Sequence, residues 1–219
     1  MNDTRRMGVV FDMDGVLVDS AGPHFESWRL LGEEYGVAVT RQRFAATFGR
    51  QNRDIIPMLF GAVSPERSAA MSERKEEIYR ELIRGRVPAV EGAAELVRSL
   101  AASGVPMAIG SSGPRENIDL VLAGMGVADL IEVIVSADDV TRGKPDPQVF
   151  ALACERLGLA ASRCVVIEDA PAGVEAAKAA GAKAVAVLMH HPREAFDGAE
   201  LIVERLDELT VVRLRGLVG

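Results

Sequence analysis

Six short apolar runs, each giving way to glycine, serine or an acidic residue, alternate with longer stretches of helical spacing, and this rhythm limits the chain to few folds. The runs are Gly8–Phe11, Pro106–Ile109, Glu132–Val135, Val165–Ile167, Ala184–Leu188 and a weaker one at Leu201–Val203. They are apolar at successive positions, as a strand buried on both faces requires, and parallel strands are of that kind. Helices expected at Ala93–Ala102, Arg115–Met125, Pro147–Leu157 and Pro171–Ala180 are followed by Gly104, Gly126, Gly158 and Gly181, where a left-handed residue closes a helix. Strand, helix and strand in turn describe βαβ units. The expected fold class is therefore α/β, a doubly wound, Rossmann-like parallel sheet.

Residues 20–87 break the rhythm. They contain no convincing strand and read as four helices, Pro23–Tyr35, Arg41–Thr47, Asp54–Phe60 and Pro65–Arg84, the last announced by Ser64-Pro65, a cap residue followed by proline at the first helical position. The simplest organisation is an α/β core of residues 1–19 and 88–219 with an all-helical insertion between, joined through Ser20–Pro23 and Arg86–Gly92 as hinges. A chain of 219 residues suits one domain with such an insertion, at about 100–200 residues per domain. The net charge of −7 and the lack of a long Lys/Arg cluster argue against nucleic acid as a partner. No stretch approaches the roughly 18 uncharged apolar residues of a membrane span. Behind Arg5-Arg6 only Met7 to Phe11 are apolar, too few for a signal-peptide core, so a cytoplasmic location is expected. Two cysteines, Cys154 and Cys164, are too few for a disulfide framework and read as buried free thiols.

Doubly wound sheets bind ligands at the carboxyl ends of their strands. Here the first strand runs into Asp12-Met13-Asp14-Gly15-Val16, the second into Ser111-Ser112-Gly113, the third into a loop bearing Gly143-Lys144-Pro145-Asp146-Pro147, and the fourth into Glu168-Asp169. Asp12 and Asp14, two apart on extended chain, point to one side. With Glu168 and Asp169 arriving from another strand, the carboxylates repel unless a hard cation sits among them, and oxygen donors without His or Cys favour Mg²⁺. Such an ion, with Lys144 and Ser111, supplies the positive charge and hydrogen bonding that a phosphoryl group in transit needs. Each signal alone has a plainer explanation: Asp14-Gly15 as a hairpin turn, Lys144 as a solvated loop lysine, Glu168-Asp169 as anions at a helix start. Their joint occurrence, in order, at four strand ends points to a site.

Those four motifs, Asp12-Met13-Asp14-Gly15-Val16, Ser111, Lys144 and Glu168-Asp169, resemble in order and spacing those of the haloacid dehalogenase superfamily, in the phosphatase branch with a helical cap after the first motif. The resemblance implies Asp12 as the nucleophile that forms an aspartyl-phosphate and Asp14 as general acid/base. It implies Mg²⁺ held by Asp12, Asp169 and the backbone carbonyl of Asp14, with Glu168 close by or acting through water, and phosphoryl oxygens gripped by Ser111 and Lys144, with Ser112 counted beside them. The insertion is similar to caps of the β-phosphoglucomutase-like and phosphoglycolate phosphatase-like proteins, which implies His24, Trp28, Arg50, Arg53 and Lys75 as candidates to face the substrate. Plainer readings stand beside these: Trp28 as core, Lys75 as part of a solvated charge run. That mutase has an Arg three residues after a cap glycine, where this chain reads Gly49, Arg50, Gln51, Asn52; it also has Ser and Lys just past the second motif, where this chain has Gly113 and Pro114. A Mg²⁺-dependent phosphatase of a small phosphorylated metabolite, such as a sugar phosphate, is therefore expected ahead of a phosphosugar mutase, and a silent metabolite-binding protein is disfavoured because no catalytic position is lost.

Overall fold

The computed structural model describes residues 7–47 and 50–219. In chain order the elements are β1 (Gly8–Phe11), α1 (Ala21–Glu34), α2 (Arg41–Ala45), α3 (Asn52–Phe60), α4 (Pro65–Ile83), α5 (Ala93–Ala102), β2 (Met107–Gly110), α6 (Arg115–Met125), β3 (Val133–Val135), α7 (Gln148–Arg156), β4 (Cys164–Glu168), α8 (Pro171–Ala179), β5 (Lys183–Val187), β6 (Leu201–Val203) and α9 (Val211–Val218). The strands form one sheet in the order β3-β2-β1-β4-β5-β6, parallel throughout. The chain steps from β1 outward to β3, then returns to β4 on the other side of β1, so the topological switch point lies beside β1.

Alternate residues explain why the sheet is an inner layer. Val10, Ala108, Val166, Ala184 and Ala186 belong to an apolar cluster with Val149, Phe150 and Ala153 of α7 and Val174, Ala176 and Ala177 of α8. Their neighbours in sequence, Val9, Phe11, Ile109, Val165, Ile167 and Val185, point to the opposite face and are also fully buried. Both faces are thus covered, as the uninterrupted apolar runs require. Cys154 and Cys164 are free and buried within this core.

The chain divides into two compact units, one running to Asp19 and resuming at Pro88–Gly219, the other Ser20–Val87. The second is all helical. Phe25, Trp28 and Leu31, spaced three apart on α1, meet Phe44 of α2, Ile55, Ile56 and Leu59 of α3 and Met71 and Ile78 of α4 in a core of its own. Ser64 caps α4, its hydroxyl accepting from the Arg67 amide at 3.3 Å, and Thr40 caps α2 through Arg43 at 3.2 Å.

Several boundaries differ from expectation. α1 begins at Ala21, so Pro23 stands in its first turn rather than in a linker; proline lacks an amide hydrogen that the first turn cannot use. β2 starts after Pro106, and β4 extends through Glu168, which still pairs with Ala186. Asp14-Gly15 makes a turn, with Gly15 donating to the Val18 carbonyl at 2.8 Å, but among the described residues β1 pairs only with its parallel neighbours, β2 and β4, and not in a hairpin. α9 went unexpected: it is short, and Val212 on it is 80% exposed, which blurs the apolar period. Among the described residues no helix is long and apolar enough to cross a membrane.

Candidate active site

Register assembles the site. Phe11 is level with Ile109 on β2 and Ile167 on β4, so the next residues, Asp12 and Glu168, emerge side by side. The Asp12 amide donates to the Ile167 carbonyl at 2.9 Å, carrying the pairing to the sheet's rim. Lys144, brought by the loop before α7, donates to Asp12 Oδ1 and to Glu168 Oε1, both at 2.8 Å, and its Nζ lies 4.6 Å from the centre of the Phe150 ring. Asp12, Glu168 and Asp169 are buried, and an oxygen from each lies within 4.8 Å of the others. Ser111, buried at the end of β2, accepts from the Gly113 amide at 3.0 Å. Ser112 is exposed and Asp14 is half-buried.

The charges in this cluster do not balance. Burial pushes the Asp12 carboxyl up, as do the charges of Glu168 and Asp14, against the opposing pull of Lys144. Burial, then Glu168 and Asp12, push the Asp169 carboxyl up as well. Burial also works against the charge on Lys144, but Asp12 and Glu168 outweigh it and hold the ammonium above its usual range. Three buried carboxylates, with the charge of the half-buried Asp14 acting on two of them, face the ammonium of Lys144. A donor set of oxygens alone, carrying surplus negative charge, fits a hard divalent cation.

Two supports escaped the sequence. Gly15 has φ +77°, and a Cβ there would stand 1.9 Å from Asp169 Oδ2, so the turn after Asp14 passes directly against that carboxylate. Gln148, on the first turn of α7, offers one oxygen to three donors, the Thr141 amide at 3.0 Å, the Thr141 hydroxyl at 3.2 Å and the Arg142 amide at 3.0 Å. Asp146 closes the same loop by pairing with Arg142 at 3.0 Å. The Lys144 loop is thereby fixed on both sides of the lysine. A lone glutamine after Lys-Pro-x-Pro carries no signal of this in the sequence.

In the helical unit the candidates separate. Trp28 is 1% exposed and belongs to the apolar core, so the packing reading describes it. Lys75 is not on a solvated face: it is 2% exposed and sits 2.8 Å from both Glu76 Oε1 and His24 Nδ1, above the rings of Trp28 and Tyr79. The charge run on α4 turns inward at this point. His24 is half-buried and stacks on Tyr79 with centroids 4.2 Å apart. Arg50 and Arg53 are exposed. Asn52 donates to Glu76 at 2.7 Å and to Ser72 at 3.0 Å. Gly49 lies outside the described residues.

A family model for haloacid dehalogenase-like hydrolases matches residues 7–181, which include the ends of β1, β2 and β4 and the Lys144 loop described above. The chain belongs to that family. It is 34% identical over 214 residues to the chloroplastic 5-amino-6-(5-phospho-D-ribitylamino)uracil phosphatase of Arabidopsis thaliana, covering 96% of this chain and 57% of that protein's length. It is 33% identical over 203 residues to the validoxylamine A 7′-phosphate phosphatase of Streptomyces hygroscopicus subsp. limoneus, covering 91% of this chain and 94% of the relative. A solved β-phosphoglucomutase from Clostridium difficile has a TM-score of 0.84 at 24% identity, covering 97% of each chain. That likeness is one of fold, and the fold by itself does not separate hydrolysis from isomerisation.

Proposed function

We propose that this phosphoric monoester hydrolase releases phosphate from a small phosphorylated metabolite with a sugar-like skeleton, using Mg²⁺ and an aspartyl-phosphate formed on Asp12. The observation that carries the reading is the Asp12 carboxylate, held at the end of β1 by Lys144 at 2.8 Å within a buried, oxygen-only cluster. A carboxylate oxygen of Asp12 attacks phosphorus as the bond to the leaving oxygen breaks, and Asp14 donates a proton to that oxygen. Asp14 then takes a proton from the water that attacks the aspartyl-phosphate, and phosphate departs with Asp12 regenerated. Lys144 and Ser111, with Ser112 beside them, hold the phosphoryl oxygens through both steps. Asp12, Asp169 and the backbone carbonyl of Asp14, with Glu168 close by or acting through water, would hold Mg²⁺, whose charge would offset the repulsion between carboxylates and phosphate.

Substrate choice is assigned to residues 20–87, with Arg50 and Arg53 as exposed cations, and the chemistry to the α/β unit. The small phosphorylated compounds in the names of the two phosphatases, one of them a phospho-D-ribityl compound, support a sugar-like substrate. The buried, free Cys154 and Cys164 are in keeping with a reducing, cytoplasmic compartment. The test is a screen of phosphorylated metabolites for phosphate release with Mg²⁺ present. Release from a narrow set of sugar or polyol phosphates is expected; no release from any ester would refute the reading.

A further inference from the structure

Gly173 stands in the first turn of α8, among residues that otherwise favour a helix. Its φ is not in the left-handed region, so its backbone is open to any residue, and alanine there would be the better helix former. Space is what excludes a side chain. A Cβ on Gly173 would lie 1.7 Å from Glu168 Oε1, 1.9 Å from Cδ and 2.6 Å from Cγ. Glu168 is in no position to retreat. Its Oε2 accepts from the amides of Asp169 at 2.8 Å and Ala170 at 2.7 Å, while Oε1 accepts from Lys144. The carboxylate is folded back onto the helix that follows it, and the bare Cα of Gly173 is the surface it rests on.

We infer that Gly173 is a positioning residue: its missing side chain sets where Glu168 lies, and through Glu168 it sets Lys144 and the oxygen cluster proposed to hold the divalent cation. This rests on the proposed function for its effects on turnover and Mg²⁺ binding, but not for its effect on stability. A local preference overridden at one helical position, beside a charged cluster, is where a structural requirement of the site shows itself.

The test is Gly173→Ala, made in the wild-type chain and again with Glu168→Ala. Mg²⁺ affinity is read by isothermal titration calorimetry, turnover with p-nitrophenyl phosphate, and melting by circular dichroism. In the wild-type chain Gly173→Ala should weaken Mg²⁺ binding and lower kcat by about 10–100-fold, the range seen when groups that orient metal ligands are lost, with no gain in melting temperature. In the Glu168→Ala chain the atoms it would strike are gone. There it should leave Mg²⁺ binding unchanged and raise the melting temperature by about 2–4 °C, the ordinary gain from replacing a helical glycine. Equal effects in the two backgrounds, or a single variant that binds Mg²⁺ as the wild type does and melts higher, would overturn the inference. A wild-type protein that releases no phosphate would instead defeat the phosphatase reading, and the melting comparison would still decide the role of Gly173.

Discussion

Replacing Lys75 by methionine tests whether the buried charges of the helical unit act as a set. Methionine keeps an unbranched stem against Trp28 and Tyr79, so the change removes charge with little loss of volume. Glu76 loses a partner at 2.8 Å while its side chain remains only 11% exposed. In the wild type, burial pushes the Glu76 carboxyl up, but Lys75 first, then His24 and the hydrogen bond from Asn52, outweigh it and hold the group below its usual range. Breaking a buried pair from one side costs about 3–5 kcal/mol, against a total stability of roughly 5–15 kcal/mol. At about 2–4 °C per kcal/mol for a chain of this size, the melting temperature should fall by roughly 6–20 °C. The pH dependence should change sign at this group. With a depressed folded pKa, Glu76 stabilises the wild type above its unfolded value and loses that contribution as pH falls through the folded value. Without Lys75, burial dominates and the folded pKa rises, so the penalty is fullest at high pH and is relieved as the carboxylate takes up a proton. Urea unfolding followed by far-ultraviolet circular dichroism at pH 5, 6, 7 and 8 should show the gap between wild type and variant narrowing with acid. Adding Glu76→Gln should recover most of the loss. A gap under about 1 kcal/mol at pH 8, or one that stays constant with pH, would show that the pair is not a buried, coupled charge set.

Other outcomes follow from the α/β unit. Asp12→Asn should melt near the wild type and release no phosphate, because an amide of almost the same volume cannot act as the nucleophile; Asp14→Asn should lose about 10²–10⁴-fold in kcat as a general acid/base variant. A chelator should abolish phosphate release, Mg²⁺ should restore it, and Ca²⁺ should do so poorly, since its looser and larger coordination shell does not hold reactants in one geometry. With β-glucose 1-phosphate and a trace of the 1,6-bisphosphate, free phosphate should appear rather than glucose 6-phosphate, and rapid isomerisation without phosphate release would favour the mutase reading. Arg50→Ala and Arg53→Ala should reorder kcat/KM among sugar phosphates while sparing p-nitrophenyl phosphate, whereas Lys144→Met should depress every ester together.

The strands and most helices of the α/β unit were legible because their signals are local: apolar runs of three to five residues, and glycine where a helix must close. The charged rim was legible for a different reason. Lys144 and Asp12 are 132 positions apart, yet they meet at 2.8 Å. No local pattern relates them, but a parallel sheet places every strand's carboxyl end on one edge, so topology performs the long-range assembly and composition at the strand ends reveals the outcome. The helical unit has no comparable rule. Which side of α4 turns inward depends on the facing side chains: Lys75 is buried because His24 on α1 and the neighbouring Glu76, itself held by Asn52 of α3, supply its partners. Along the sequence, Arg74-Lys75-Glu76-Glu77 looks like any solvated helical charge run. Gly173 and Gln148 were hidden by the same limit at shorter range. One is defined by the space it leaves and the other by three donors in a loop, and both properties belong to the neighbours of the residue rather than to the residue itself. The legible residues of this site are therefore those that carry its charge. The illegible ones pack against that charge or brace the loop that carries it, as Gly173 lies against Glu168 and Gln148 ties down Thr141 and Arg142.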